Sequence, residues 1–238
     1  MKASFLIVSL LFSTKLFAYT LNIVTELFPT YQYLDADGKL AGPTVSKVTS
    51  VLVDANIQFN LSVQPWHIAY NAVQRDSDTC IFSIGRNNER EDMFSWLFPV
   101  AEFSSSFYAL KSRKIKLDVL EDALKYRTAV IRNNFSHQYL KENGFTEQSQ
   151  LVVISSFNNV LDILKTRKKQ LDLVVLGDAQ VKAASKNSTL LAELEPILPI
   201  QNINNKLYFA CNKRVPEYVT DKIKRTFKTL SQQSLLNR

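Results

Sequence analysis

The chain contains few of the residues on which nucleotide-binding and hydrolytic sites depend. Its 238 residues include five glycines, two histidines and two cysteines. Neither of the glycine-rich phosphate-binding patterns, GxGxxG and GxxxxGK[ST], occurs, and the sequence also lacks GxSxG, HExxH and CxxC. These absences argue against a nucleotide-binding loop, a serine-hydrolase elbow and a zinc-protease helix.

The two histidines, His67 and His137, lie in different halves of the chain and in no metal-binding pattern. Each is interpreted as a surface or packing residue rather than as a catalyst or a metal ligand. A metal site would then need several carboxylates close together, and no such group stands out in the sequence. We therefore expect no catalytic residue, no metal and no cofactor.

The charge balance is mildly basic. The formal net charge is +7 at pH 7, and the densest basic run, 165–169, falls at the end of a predicted helix, where cations favour the helix dipole. Nucleic-acid binding would need a basic stripe with base-reading or stacking groups, and the sequence shows none. A modest positive field is better suited to recruiting small anionic ligands.

The first eighteen residues have the layout of a secretory signal peptide. Lys2 gives a positive start, Phe5–Phe12 forms a short apolar core, and the segment ends on the small residue Ala18. The apolar run is too short for a transmembrane anchor, and Lys15 interrupts it. We expect cleavage near Ala18 and an exported, periplasmic protein, whose remaining 220 of 238 residues suffice for two lobes with separate cores.

Cys80 and Cys211 are the two cysteines, and each falls in a predicted strand. An exported protein is able to form a disulfide. Sequence alone does not give the Cα–Cα distance that such a bond requires. Two free, buried thiols are therefore the favoured expectation, and a disulfide is the alternative.

Strands and helices alternate along the first half of the chain. Pro43 suits the first position of a helix, and Val45, Val48 and Val51 recur at helical spacing after it. The predicted order is strand, helix, strand, helix, strand, at 21–25, 43–55, 57–63, 66–75 and around Cys80. Such an order is typical of a parallel sheet covered by helices.

The alternation begins again after an extended passage at 103–111. Strands are predicted at 127–132, 151–154 and 171–176, helices at 117–126, 136–143 and from Asp178, and a second extended passage at 207–211 precedes a last helix, 217–230. Two α/β units joined by two extended crossings predict a two-lobed α/β fold with a cleft and two hinges. We assign 19–107 and 208–238 to lobe 1 and 108–207 to lobe 2.

A polar loop with two arginines follows the strand that contains Cys80. Arg86 and Arg90 lie in this loop. Loops at the carboxyl ends of buried strands are where open α/β sheets bind ligands. The planar fork of Arg90 would hold a carboxylate there, and a surface pairing with Glu89 or Asp92 is the alternative. Arg86 would serve as a second anion contact or as a salt bridge that closes the lobes.

Several short motifs follow one another in an order that resembles a known family. They are Thr25–Pro29, Asp37–Gly42, Gln64-Pro65-Trp66, Phe82–Glu91, Phe94-Ser-Trp96, Tyr126–Val130 and Asp172–Val175. In order and spacing they resemble the amino-acid-type (family 3) extracellular solute-binding proteins of bacterial ABC importers. The resemblance implies the type II periplasmic-binding-protein fold, in which each lobe is a mostly parallel sheet covered by helices.

The resemblance also implies roles for individual residues. The implied ligand-binding residues are Arg90, Trp66, Phe28, Ser83, Gly85, Arg86, Asn133, Asn134 and Asp178. Arg90 would bind the carboxylate of an amino acid, and Asp178 would receive its ammonium group. Phe28 and Trp66 would enclose the ligand side chain. The structural alternatives are that these aromatic residues belong to a core and that Asp178 only caps a helix.

In function, the resemblance implies a monomer without enzymatic activity. Such a protein captures an amino acid or a similar small polar or carboxylate solute and delivers it to the membrane permease of an ABC importer. Ligand would bind the closed state more tightly and so shift the population toward closure. Two other classes stay open: a dehydratase-like enzyme on the same scaffold, with Glu26, His67 or His137 as acid or base, and a sensory module that signals to a membrane kinase.

Overall fold

The computed structural model describes residues 19–155, 163, 166, 170–185, 188–200 and 205–236. The predicted signal peptide at 1–18 lies outside the described residues, as does the basic run at 165–169 apart from Thr166. Within the described part, the chain forms two five-stranded sheets and one two-stranded hairpin. No helix in that part is both long enough and apolar enough to cross a bilayer.

The strands are β1 (Thr20–Thr25), β2 (Tyr33–Leu34), β3 (Leu40–Ala41), β4 (Gln58–Val63), β5 (Thr79–Gly85), β6 (Phe94–Glu102), β7 (Ser105–Leu110), β8 (Thr128–Ile131), β9 (Leu151–Ile154), β10 (Leu173–Gly177), β11 (Leu194–Pro199) and β12 (Lys206–Asn212). The α-helices that lie in described segments are α1 (Pro43–Asp54), α2 (Trp66–Arg75), α3 (Asn88–Glu91), α4 (Phe135–Glu142), α5 (Asp178–Ala184), α6 (Thr189–Ala192) and α7 (Glu217–Leu236).

The first sheet has the strand order β4-β1-β5-β12-β6. Strands β4, β1 and β5 run parallel, and β12 is antiparallel to both β5 and β6. Every residue of β5 is buried because helices cover both faces of the sheet. Cys80 and Phe82 pack with α1 and α7, whereas Ile81 and Ile84 pack with α2. We call this sheet with its helices lobe 1.

The second sheet has the order β11-β7-β10-β8-β9. Strands β10, β8 and β9 run parallel, and β7 is antiparallel to β10 and β11. Phe107, Leu140 and Leu173 belong to the core on one face, and Tyr108, Val174 and Leu176 belong to a second core on the other face. This sheet with its helices is lobe 2. Each sheet therefore consists of three parallel strands and two further strands that join through antiparallel pairing.

The chain changes sheets between β6 and β7 and again between β11 and β12. The two crossings lie side by side, because the Phe103 N–H donates to the Asn205 carbonyl at 2.7 Å and the Ile200 N–H donates to the Ser105 carbonyl at 2.8 Å. The sheet changes fall slightly before the limits at 107 and 208 assigned from the sequence, because β7 already begins at Ser105 and β12 at Lys206. The lobe limits themselves remain a prediction, and residues 201–204 lie outside the described segments.

The structure corrects one local prediction and contains two strands that the sequence did not predict. The segment 117–126 forms only a 3₁₀ helix, Leu120–Lys125, because the Asp122 carboxylate accepts from the N–H groups of Asp118 and Val119 and so organises a tight turn. Strands β6 and β11 were not predicted. Both contain prolines, and both lie at a sheet edge. An edge strand tolerates proline because one of its sides has no neighbouring strand to accept a hydrogen bond.

Cys80 and Cys211 form a disulfide, so the expectation of two free thiols is wrong. The two residues are direct partners across the antiparallel pair β5–β12, with their Cα atoms 3.9 Å apart, and both are fully buried. They are 131 residues apart in the sequence and become neighbours only because β12 returns to the first sheet. Strand pairing over that distance is not visible in a local pattern.

We predict that the double substitution Cys80→Ala with Cys211→Ala lowers the free energy of unfolding by about 2–5 kcal/mol, because the disulfide closes a long loop in the unfolded chain. Equilibrium urea denaturation measures the change. Wild-type protein in a reducing agent should lose a similar amount, which controls for the two alanines. A variant within about 0.5 kcal/mol of the oxidised protein would contradict the prediction.

Candidate functional site

A cavity of about 60 Å³ lies between the two lobes. It is bordered by the carboxyl ends of β1, β5, β8 and β10 and by the loops that follow them, which is where ligands bind in open α/β sheets. Its lining residues are Glu26, Phe28, Trp66, Ser83, Gly85, Arg90, Phe103, Ser105, Ile131, Asn134, Phe135, Ser136, Val175, Leu176, Gly177, Gln180 and Leu207. Both lobes therefore contribute to one largely apolar and aromatic space with a few polar groups.

Arg90 lines this cavity and is fully buried. The single-turn helix α3 positions it, because the Asn87 side chain accepts from the Arg90 N–H at 3.0 Å and so caps the turn. Nη1 donates to the Gly85 carbonyl at 2.8 Å. The guanidinium carbon lies 5.8 Å from the Trp66 ring centroid and 5.0 Å from that of Tyr70, distances at which cation–π attraction operates.

The charge of Arg90 is not matched by an anion. Within the part of the chain that the structure describes, no carboxylate forms an ion pair with it, and its buried Nε has no hydrogen-bond partner. Burial lowers the pKa of Arg90, and contacts with Tyr70 and the more distant Glu89 and Glu142 only partly oppose this effect. A buried cation without a counter-ion is unfavourable, so the site is electrostatically suited to an anionic group.

Asn133 joins lobe 2 to the arginine. Its carbonyl oxygen accepts from Arg90 Nη2 at 2.7 Å and from Trp66 Nε1 at 2.8 Å. The residue has φ 56°, a left-handed conformation that asparagine tolerates better than most residues. Asn133 was predicted to contact the ligand; here its backbone bonds to two donors of lobe 1, it is not among the lining residues, and its ligand-binding role stays a prediction. The Asn134 side chain caps α4 by accepting from the His137 N–H at 2.8 Å, and Asn134 lines the cavity.

Ser83 and Gly85 shape the lobe 1 side of the cavity. Ser83 has φ 62° and is the extra residue of a bulge, since Ile84 pairs with Tyr208 and Phe82 with Phe209. A Cβ at Gly85 would lie 3.1 Å from Cδ2 of Phe135, so glycine allows this ring of lobe 2 to approach β5 closely.

Gln32 anchors Ser83 and was missed in the sequence. It is fully buried; its Oε1 accepts from Ser83 Oγ at 2.9 Å and from Thr44 Oγ1 at 2.7 Å, and its Nε2 donates to Thr25 Oγ1 at 3.0 Å. This network connects the end of β1, the start of α1 and the bulge of β5. A glutamine in the short segment before β2 carries no local sequence signal for such a position.

Phe28 and Trp66, which the resemblance implied would enclose the ligand side chain, both line the cavity. The Phe28 ring packs edge-on against Tyr31 with centroids 4.9 Å apart, and it reaches toward Gly177 of lobe 2. Trp66 is 3% exposed and stacks on Tyr70. The two aromatic side chains therefore lie where they would contact a bound solute.

Asp178 and Arg86 lie outside the residues that line the cavity. Asp178 begins α5, and its Oδ1 accepts from Tyr108 Oη at 2.7 Å. Arg86 pairs with Glu91, with Nε 2.7 Å from Oε2, and its guanidinium lies over the rings of Trp96 and Tyr208. Each charge is thus engaged within its own lobe. The ligand-binding role predicted for both residues gains no support from this placement.

Glu26 and Gln180 line the cavity although the ligand-binding set did not include them. Burial raises the pKa of Glu26 to about 8, so the carboxyl is largely protonated at neutral pH. Gln180 lies in the first turn of α5 and is 7% exposed. Of the three acid–base candidates, Glu26 lines the cavity, whereas His67 and His137 do not.

Solved structures share this architecture at low sequence identity. A histidine kinase sensor domain with similarity to periplasmic binding proteins has a TM-score of 0.77 and 17% identity, with 91% of this chain and 92% of that chain covered. An ancestral arginine-binding protein bound to arginine has a TM-score of 0.75 and 17% identity, with 91% and 94% covered. An amino acid ABC transporter substrate-binding protein from Streptococcus pneumoniae bound to L-arginine has a TM-score of 0.74 and 16% identity, with 92% of each chain covered.

These likenesses confirm the two-lobed, periplasmic-binding-protein-like α/β fold that the sequence implied. At such identities they show the fold alone. Substrate-binding proteins of amino-acid importers are among the neighbours, in agreement with the family that the motifs resemble. No protein-family model matches the chain, and no curated protein matches it by sequence.

We predict that Gln32→Leu lowers the free energy of unfolding by about 1–3 kcal/mol, because buried hydroxyls of Thr25, Thr44 and Ser83 lose their common partner. Gln74→Leu is the matched control: Gln74 is exposed and makes one side-chain bond to Tyr70, so the same substitution there should change stability by at most about 0.5 kcal/mol. Urea denaturation of both variants gives the comparison, and equal losses would contradict the network's importance.

Proposed function

We propose that this protein binds a small zwitterionic solute of the amino-acid class between its two lobes, without chemical conversion. The observation that carries the proposal is Arg90: a fully buried guanidinium that pairs with no carboxylate of the described residues, at the carboxyl end of β5 and in a cavity lined by both lobes. A carboxylate would supply the missing charge and accept charge-assisted hydrogen bonds from the guanidinium fork.

The mechanism is a competition for Arg90. In this structure the Asn133 carbonyl accepts the hydrogen bond of Arg90 Nη2. An incoming carboxylate would replace this neutral acceptor with an anionic one. Lobe 1 would present Arg90, Trp66 and Phe28 to the solute, and lobe 2 would then close over it. The cavity of about 60 Å³ is far smaller than the roughly 300–1,000 Å³ of pockets for drug-sized molecules, which favours a small solute.

Glu26 is the group that we assign to the cationic end of the solute. It lines the same cavity as Arg90, and burial raises its pKa to about 8. A perturbed carboxyl in a cleft is a frequent feature of functional sites. An ammonium or guanidinium beside Glu26 would stabilise the ionised form. We assign this role to Glu26 rather than to Asp178, because Asp178 is engaged with Tyr108 outside the cavity.

For the cellular role, we propose that the exported monomer delivers its solute in the periplasm to the membrane permease of an ABC importer. The buried disulfide suits an oxidising compartment, as does the signal-peptide layout of residues 1–18. The second candidate is a sensory role, because one neighbour of the same fold is a histidine kinase sensor domain. Loss of solute uptake when the gene is deleted would favour transport, and unchanged uptake with a lost transcriptional response would favour sensing.

The proposal is tested by a thermal-shift screen with the twenty L-amino acids, including L-arginine and L-glutamine. A bound amino acid at about 100 times its dissociation constant should stabilise the protein by about 2.7 kcal/mol. Arg90→Met should abolish the shift, because it removes the cation while keeping a long side chain. Arg86→Met, which changes an arginine outside the cavity, should retain the shift.

Three outcomes would overturn this proposal. If Arg86→Met and not Arg90→Met abolished binding, the carboxylate site would lie at the Glu91 side of the loop. If no amino acid or small carboxylate raised the melting temperature of wild-type protein, the amino-acid class itself would be wrong. Conversion of the bound solute into a product would favour an enzyme instead.

We also predict that binding of a cationic solute releases protons near pH 7. About nine-tenths of Glu26 is protonated there if its pKa is about 8, and a nearby cation would lower that pKa. Affinity should therefore rise as pH increases from 6 to 8 and level off above that range. Calorimetry in two buffers of different ionisation enthalpy measures the released protons. Glu26→Gln should remove the release, and unchanged release in that variant would contradict the assignment.

A further inference from the structure

The turn between β8 and α4 is the point at which lobe 2 contacts the buried arginine. The Asn133 carbonyl is the shared acceptor for Arg90 Nη2 and Trp66 Nε1, both of which belong to lobe 1. Holding one oxygen within 2.7–2.8 Å of two donors requires that the orientation of this peptide be fixed. Asn133 has a left-handed backbone, which a free turn would adopt only part of the time.

His137 restrains that orientation from inside lobe 2, because it holds the N–H of Asn133 and thereby the backbone torsions of Asn133 that direct its carbonyl. Its ring is 3% exposed, and Nδ1 accepts from the Asn133 N–H at 3.1 Å. The backbone N–H of His137 in turn donates to the Asn134 side chain at 2.8 Å. The loop after β8 and the first turn of α4 therefore stabilise each other. An imidazole nitrogen accepts a hydrogen bond only when it carries no proton, which places the ring proton on Nε2.

We propose that His137 is a positioning residue for the cleft: its neutral ring holds the Asn133 carbonyl on Trp66 and Arg90, and protonation of the ring releases this contact between the lobes. A proton on Nδ1 would face the Asn133 N–H, and two donors repel each other. The Arg132–Asn133 peptide would then rotate, and because this changes the backbone torsions of Asn133, its carbonyl would move away from both cleft donors. The role of this protonation in releasing solute rests on the proposed function. The loss of the contact between the lobes does not.

The charged groups around His137 decide the pH at which this happens. Glu147 Oε1 lies 3.2 Å from Nε2 and favours the protonated ring, whereas Lys141 and Arg132 oppose it. Burial of the ring is the largest influence, and the pKa of His137 is lowered from its ordinary value. The closed form therefore binds fewer protons than an open form with a solvated ring. It is favoured at and above neutral pH and is lost as pH falls below about 6.5.

The fluorescence of Trp66 reports this contact directly. The chain has two tryptophans, so Trp96→Phe leaves Trp66 as the sole emitter. Between pH 8 and pH 5 the emission of this variant should shift to longer wavelength as Trp66 becomes hydrated, and the radius of gyration from X-ray scattering should increase. Both changes are measured without added solute, so a failure of the amino-acid screen leaves them interpretable.

Three substitutions separate positioning from a general structural effect. His137→Asn offers an amide oxygen near the position of Nδ1 and does not titrate, so it should keep the short-wavelength emission at every pH. His137→Leu removes the acceptor and should give the long-wavelength emission at every pH. His67→Gln changes the other histidine and should retain the transition of the parent.

The proposal would be overturned by a transition that persists in His137→Asn, or by its absence in the parent between pH 8 and pH 5. Nitrogen-15 spectra of labelled histidine in wild-type protein give a second test that needs no variant. Two histidines yield two sets of ring signals, and His137 should be the Nε2–H tautomer at pH 8. An Nδ1–H tautomer would contradict the hydrogen bond from Asn133.

Discussion

A buried, uncompensated positive charge between two lobes is the constraint on which the rest of the structure depends. Arg90 is held by carbonyl oxygens of Gly85 and Asn133 and by the faces of two aromatic rings, all of which are weaker partners for a cation than a carboxylate. The lobes thus meet around a cation whose charge is only partly stabilised by its neighbours. An anion that pairs with this cation contributes more free energy here than in water, because the guanidinium is buried.

The sheets explain why this charge lies between the lobes and not inside one of them. Strand β5 is buried on both faces, so its side chains pack inside lobe 1 along the whole strand. Arg90 comes just beyond that end, and β8 and β10 of lobe 2 end at the same cavity. The strand ends of both lobes therefore place a few polar groups in one cavity, and the fold provides a binding position there.

The sequence predicted what depends on local pattern and missed what depends on distant pairing. Arg90, Trp66 and Phe28 follow predicted strands or precede a predicted helix, so motif order was enough to bring them to the cavity. Gln32 and the disulfide partner of Cys80 acquire their roles only when strands far apart in the chain meet. Arg86 and Asp178 have the right residue type near the right strand end, but each bonds to a partner in its own lobe and lies outside the cavity lining.

The position of β12 sets an order on folding. This strand lies between β5 and β6, although it is made about a hundred residues later, so the middle of the first sheet is a gap until the end of the chain arrives. The second lobe is contiguous and is able to form first. In the export that we propose, the amino-terminal half of the first lobe would emerge first, with the edges of β5 and β6 unpaired until β12 follows. Chaperones that cover such edges, and catalysts that oxidise the late-arriving cysteine, would then govern the yield of folded protein.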